Sequence, residues 1–157
     1  MQVNSDILLR MTSLRSAGRR SDCPVNVALE LLGDRWSLLI VRDLMFRAYR
    51  TYGQFLEADE GIATNILADR LRKLVASGIV ATVEDDADHR KINYRLTAKG
   101  IGLAPAMTEL ILWSARHEKT FAPRAAIRRM EKHRDEFLAQ VYRCWKEGGP
   151  PVFLKGQ

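Results

Sequence analysis

Cysteine and histidine are scarce. The chain holds two cysteines, Cys23 and Cys144, and three scattered histidines, His89, His117 and His133. Neither the ligand spacing of a zinc site nor the density of a disulfide scaffold is present, so no metal and no cofactor is expected. No apolar run approaches the ~20 residues of a membrane span, and the N-terminus interleaves apolar with polar residues, unlike a signal peptide. A cytoplasmic chain with reduced thiols is therefore expected. Internal repeats, low-complexity tracts, glycine-rich phosphate loops and paired-carboxylate sites are also missing. An enzymatic reading would rest on Cys23 as nucleophile with a histidine as base, and no histidine stands in a motif that would position it. The expectation is a protein without catalytic activity.

What is there fits one domain with appendages: 157 residues, an ordinary apolar fraction and charges mixed in sign. The net charge of +6 and the pI near 9.6 tilt modestly toward a polyanionic partner.

The chain is organised around residues 51–75. Thr51 can cap a short helix, with Gln54 three residues on to complete a capping box. Tyr52, Phe55 and Leu56 give that helix one buried side, and Gly61 marks a tight turn. In the next helix Leu67, Leu71 and Leu74 recur at helical period, with Ile66 beside them. Thr64, Asn65, Ala68, Asp69, Arg72 and Lys73 are left on the outside. This is the pattern of a helix-turn-helix, whose second helix presents small and hydrogen-bonding residues to the DNA major groove. An ordinary helical hairpin has the same periodicity, so the flanks decide.

Upstream, Val3, Ile7, Met11 and Leu14 suggest a short amphipathic helix over residues 3–15, followed by a basic connector, with residues 1–22 forming one unit. Pro24 suits a first helical position. Val25, Ala28, Leu29 and Leu32 read as the inner face of a helix ended by Gly33. Asp34 caps the next one, which carries Trp36, Leu39, Ile40, Val41 and Leu44 inward. Downstream, residues 79–83 and 93–96 are extended runs around a charged tip, a β-hairpin placed where a wing would be. Leu103, Met107, Leu110, Ile111 and Trp113 then form a broad apolar helix side. A last helix from Pro123 carries Ile127, Met130, Phe137, Leu138, Val141 and Trp145 and stops at Gly148. The fold class expected is mostly α with a small antiparallel β-hairpin (α+β). Residues 23–120 form a winged helix-turn-helix domain and 121–157 a helical extension.

With these pieces in order, the chain from Cys23 to about Trp113 resembles the HxlR family of winged helix-turn-helix transcriptional regulators of bacteria. The carrying residues are Cys23-Pro24-Val25, Leu32-Gly33-Asp34-Arg35-Trp36 with Leu38-Leu39-Ile40, then Gly61-Ile62, Leu67, Arg70-Leu71, Leu74, Gly78 and Ile79-Val80. Tyr94-Arg95-Leu96-Thr97 with Gly100 completes the match. The resemblance implies homodimers on near-palindromic double-stranded DNA, with reading helices roughly 34–36 Å apart, and terminal helices at the dimer interface. Ile7, Met11, Met107, Leu110 and Trp113 are the candidates there. It implies regulation without catalysis, with repression by promoter occupancy as the expected mode. Some relatives sense electrophiles or oxidants at the position of Cys23.

Base reading is assigned to Thr64, Asn65, Ala68, Asp69 and Arg72: Asn suits adenine, Arg guanine, Asp the cytosine amino group and Ala a thymine methyl. Asp69 could instead only orient an arginine. Phosphate contacts are assigned to Arg50, Thr51, Arg70, Lys73, Arg90, Lys91 and Arg95, and Arg70 could equally pair with a carboxylate inside the domain. Acidic residues at the wing tip shift the expected contact to the wing's base. Where this chain has Ala63 the family usually opens the reading helix with serine, so Thr64 is expected to take over the cap. Cys23 has two readings, a sensor thiol at a helix start and an inert small residue in the core. Cys144 could resolve an oxidised Cys23. A small-molecule effector pocket lined by Met107, Trp113 or Phe121 and a winged helix used only for protein contacts are the remaining alternatives.

Overall fold

The computed structural model describes residues 19–85, 88 and 90–148. The helix expected over residues 3–15, with Ile7 and Met11, lies outside them, as does the tail beyond Gly148. The described chain runs α1 (Pro24–Leu32), α2 (Arg35–Phe46), α3 (Tyr52–Leu56), α4 (Thr64–Ala76), β1 (Val80–Glu84), β2 (Ile92–Leu96), α5 (Ala98–Ile101), α6 (Ala104–His117), α7 (Arg124–Lys132) and α8 (Arg134–Glu147).

Local chemistry sets the boundaries. Asp34 accepts from the backbone N–H groups of Trp36 and Ser37 and so caps α2. Thr51 and Gln54 form the expected capping box of α3. Gly61, between α3 and α4, has φ +65°, a left-handed conformation that glycine adopts without the Cβ penalty. Thr97 accepts from the Gly100 N–H to open α5, and its hydroxyl donates to the carbonyl of Gly78. A side chain at Gly100 would put its Cβ 2.1 Å from the Ile79 carbonyl oxygen. Only glycine lets α5 close on the strand start this tightly.

The strands pair antiparallel, with Val80 opposite Leu96 and Thr82 opposite Tyr94. The Tyr94 N–H also donates to the Arg50 carbonyl, and Thr51 bridges to Asn93. The hairpin is thereby tied to the chain entering α3. The core gathers Ile40, Val41 and Leu44 of α2, Phe55 of α3, Leu67, Leu71 and Leu74 of α4, Val80 and Leu96 of the hairpin, and Met107 and Leu112 of α6.

Three helices differ from the expectation. In α1 only Leu31 and Leu32 pack against the core. Val25 is 67% and Leu29 59% exposed, and Ala28 is exposed as well. In α6 the buried side is Ala104, Met107, Thr108 and Leu112, which turns Leu110 and Trp113 outward. Met107 is therefore core and is not available to a second chain. The helix expected from Pro123 onward is two helices, because His133 leaves helical geometry at φ −130°, ψ 46°.

That break lets α7 and α8 pack on one another, on α6 and, through α8, on α2. Met130, Phe137 and Val141 enter the common core, and Phe137 lies 6.5 Å from Phe46 between ring centroids. The Trp145 indole N–H donates to the Leu96 carbonyl. The extension is thus continuous with the winged-helix unit. Phe137→Ala should cost about 3–5 kcal/mol and lower the midpoint of a single urea transition followed by circular dichroism. A variant in which the winged-helix signal kept its wild-type midpoint would contradict that continuity.

Candidate nucleic-acid interface

The outward side of α4 follows from its burial. Leu67, Leu71 and Leu74 face the core, so Thr64, Asn65, Ala68, Arg72 and Lys73 stand exposed on the opposite side. The helix begins at Thr64 with Ala63 as N-cap and no side-chain cap. Thr64 does not take over the capping role: it lies one residue inside the helix, and Ala63 offers no acceptor. The first N–H groups of α4 therefore have no side-chain cap, an arrangement suited to an anion. Tyr52 fixes this end by donating from its hydroxyl to the Thr64 carbonyl at 2.8 Å.

Asp69 sits among three cations, 3.0 Å from Arg70, 3.2 Å from Arg72 and 2.9 Å from Lys73. The Lys73 hydrogen bond, followed by the surrounding positive charge, holds its carboxyl below the usual range. This is the geometry of a carboxylate that orients its neighbours. Arg70 reaches inward, with Nε 3.0 Å from Asp34 Oδ1. One carboxylate thus caps α2 and holds α4. Burial alone would raise the Asp34 carboxyl, but hydrogen bonds from Ser37 and the charge of Arg70 hold it below its ordinary value.

The phosphate candidates divide. Arg50 turns inward and donates from Nη1 to the carbonyls of Leu44 at 2.9 Å and Tyr49 at 2.8 Å. Burial, with a contribution from Arg95, lowers its pKa. Arg95 donates to the carbonyl of Trp145 at 2.5 Å, and its guanidinium lies 5.7 Å from the Trp145 ring centroid. Both arginines occupy the negative ends of helices, α2 and α8, where a cation is stabilised. Thr51 is committed to its capping box. Lys73, Arg90 and Lys91 remain on the surface. At the wing, Asp85 accepts from the Asp88 N–H and from Asn93 Nδ2, while Asp88 accepts from the Arg90 N–H and Nε. These acidic residues build the turn.

A group that sequence reasoning missed secures the helix-turn-helix corner. Asp43, 3% exposed, meets Arg42 at 2.7 Å and Arg47 at 3.5 Å, and both arginines also reach Glu60 beside the Gly61 turn. Burial pushes the Asp43 carboxyl up, against the opposing charge of Arg42. The spacing of Asp43 and Arg47 was a local signal; the reach from Arg42 to Glu60 had none. Cys23 is exposed at the start of α1, which removes the reading of it as a core residue. The suggested effector pocket is not assembled, since Met107 is buried while Trp113 and Phe121 are 58% and 106% exposed. Among the described residues no three His, Cys, Asp or Glu side chains are placed to hold a metal, and no helix is long and apolar enough to cross a membrane.

A helix pair joined by a tight turn, followed at once by a two-stranded hairpin, defines a winged helix-turn-helix. The chain belongs to the HxlR-like helix-turn-helix family, which it matches over residues 31–121. It is 42% identical over 89 residues to an uncharacterized HTH-type transcriptional regulator of Mycobacterium tuberculosis, covering 57% of this chain and 55% of that protein. The match therefore spans about half of that relative. Among solved structures it is similar to PA1607, described as a candidate transcription factor, at TM-score 0.59 and 37% identity over 69% of this chain and 73% of that one. It is also similar to the oxidised redox regulator HypR, at TM-score 0.56 and 25% identity over 62% of this chain and the whole of the other.

Asp34 gives this site an acid-sensitive anchor. Its depressed pKa means the unfolded chain takes up the proton first, so the stabilisation is complete well above the ordinary value of 3.8 and is lost as pH falls below it. Asp34→Ala should cost about 0.5–2 kcal/mol at neutral pH and show a shallower loss of stability than wild type on acidification. Urea titrations at neutral pH and near pH 3 compare the two slopes.

Proposed function

We propose that the protein is a transcriptional regulator that binds double-stranded DNA sequence-specifically, as a homodimer on a near-palindromic operator, and represses by occupying the promoter. The observation that carries this reading is the outward face of α4, which joins an uncapped N-terminus to exposed Thr64, Asn65, Ala68 and Arg72. Inserted in the major groove, Asn65 suits a bidentate pair with adenine and Arg72 with guanine, while Ala68 can meet a thymine methyl. Asp69 holds Arg72 and Lys73 in place and is freed for phosphate or base contact only if those pairs open. Lys73 on α4 and Arg90 and Lys91 on the wing neutralise phosphates, which makes affinity fall with salt. Arg70 serves as the strut to Asp34.

Dimerisation through terminal elements is supported by apolar surface left uncovered by the chain. Leu110 and Trp113 of α6 are 50% and 58% exposed, and Val25 and Leu29 of α1 more so. A cytoplasmic location follows from a role on DNA. A mobility-shift titration over salt, using the promoter region of the protein's own coding sequence, tests the reading. Absence of any shift in dilute buffer would favour a winged helix used for protein contacts. Asn65→Ala should lose discrimination between operator and mixed-sequence DNA, at about 1–3 kcal/mol on the preferred site. Equal weakening on every duplex would remove Asn65 from base reading.

A thiol-responsive version of this regulator is favoured by the exposure of Cys23 and by the similarity to a redox regulator. With benzoquinone as electrophile, the Cys23 sulfur forms a C–S bond to the ring and the thiol proton ends on the reduced quinone product. Benzoquinone should then weaken DNA binding of the wild type and spare Cys23→Ser. The same response in both proteins would eliminate Cys23 as the sensor.

A further inference from the structure

The positive charge of this chain is not where the helix-turn-helix is. Residues 23–115 hold eleven lysines and arginines against twelve aspartates and glutamates. Residues 116–134, the end of α6, the connecting loop, α7 and the first residue of α8, hold seven basic residues against two glutamates, which is +5 of the chain's net +6.

Within that segment the cations sort into two sets. Arg116 pairs with Glu131, Arg129 with Gln140 and Arg134 with Glu109, contacts that fasten α6, α7 and α8 together. Lys119, Arg124, Arg128 and Lys132 are exposed and make no ion pair among the described residues. Arg124, Arg128 and Lys132 recur every four residues and so share one face of α7, turned away from the buried Met130, with the half-buried Ile127 between the two sides. Lys119, Arg124 and Arg128 line one open groove, which also contains Glu118 and Ile127. No carboxylate stands in the first turn of α7 and no side chain caps it, whereas α8 opens with Asp135 and Glu136. The positive N-terminal end of the α7 dipole therefore adds to the potential of Arg124 beside it, while Lys132 stands at the opposite end.

We infer that this face of α7 is a second duplex-DNA contact, in which Lys119, Arg124, Arg128 and Lys132 neutralise phosphates outside the groove read by α4. The inference rests on the DNA-binding reading above and supplies what that reading lacks. A winged-helix unit with slightly more acid than base has little charge of its own to hold a polyanion, and sequence-independent affinity comes almost wholly from charge neutralisation. Side chains on one straight face, unpaired and spaced by a helical turn, suit a phosphate row better than a single small anion. Glu118 marks the edge of the contact by repelling phosphate.

The test uses the full chain and a fluorescein-labelled mixed-sequence duplex long enough to extend past the protein on both sides. Affinity is followed by anisotropy over a salt series for wild type, R124Q/R128Q, R143Q/K146Q and N65A. Each lost phosphate contact removes about 0.9 from the slope of log affinity against log salt. R124Q/R128Q should lose about two units of slope, while R143Q/K146Q, with the same change in net charge, and N65A keep the wild-type slope. All substituted side chains are exposed, and unchanged thermal midpoints confirm the fold. Equal slopes for R124Q/R128Q and wild type, or for the two double variants, would overturn the inference and leave the role of α4 intact. So would loss of binding to anionic vesicles in R124Q/R128Q without any change on DNA. Failure of wild type to bind the duplex in dilute buffer would bring down the DNA-binding reading as well.

Discussion

Burial of the leucine face of α4 against α2 is the constraint on which the rest depends. Leu67, Leu71 and Leu74 can reach Ile40, Val41 and Leu44 in only one rotation of the helix. That rotation determines which residues are left outside, so packing inside the domain decides what the surface can read. Asp34 makes the arrangement less free to slide, since the carboxylate that caps α2 also holds Arg70 of α4. The network of Arg42, Asp43, Arg47 and Glu60 fixes the far end of the same corner. Buried ion groups of this kind cost desolvation and add less to stability than their number suggests. Their effect here is to specify geometry.

Charge is apportioned by the same logic. Arginines 50 and 95, which a count of cations would assign to phosphate, instead serve the negative ends of α2 and α8. Lys99 does a similar service at the end of α4, donating to the Ser77 carbonyl. Three cations are thus absorbed by helix termini, whose last carbonyls have no intrahelical partner. Of the cations left on the surface, several lie on the outer side of α4, on the wing and on α7. The C-terminal helices therefore contribute on two sides, with Met130, Phe137 and Val141 completing the core and the opposite face of α7 carrying the free charge.

Much of the fold was legible because its signals are local. The capping box at Thr51 and Gln54, the Asp34 cap, the glycine at the Gly61 turn and the two extended runs each act within a few residues, and each is found where the pattern places it. The outward set on α4 was legible for the same reason, being the complement of a leucine stripe. The departures share a different cause. Periodicity says that a helix has an apolar face but not what covers it. Val25 and Leu29 of α1 stay open, and in α6 Met107 rather than Trp113 turns inward, as packing with the neighbouring elements decides. The break at His133 had no proline or glycine to announce it. At Ala63 the expected shift of the cap to Thr64 does not occur, and α4 starts without a side-chain cap.

The sequence by itself determined the order of elements through the hairpin, the caps at Asp34 and Thr51, the Gly61 turn, the family, and the set of side chains on α4 that can face a duplex. These depend on spacing along the chain, which sequence records directly. The tertiary structure alone decided which cations are spent inside the fold, that the last two helices belong to the common core, and that Cys23 is exposed. Those outcomes depend on distances between residues far apart in the chain, such as Arg95 and Trp145 or Phe46 and Phe137, and periodicity carries no information about them.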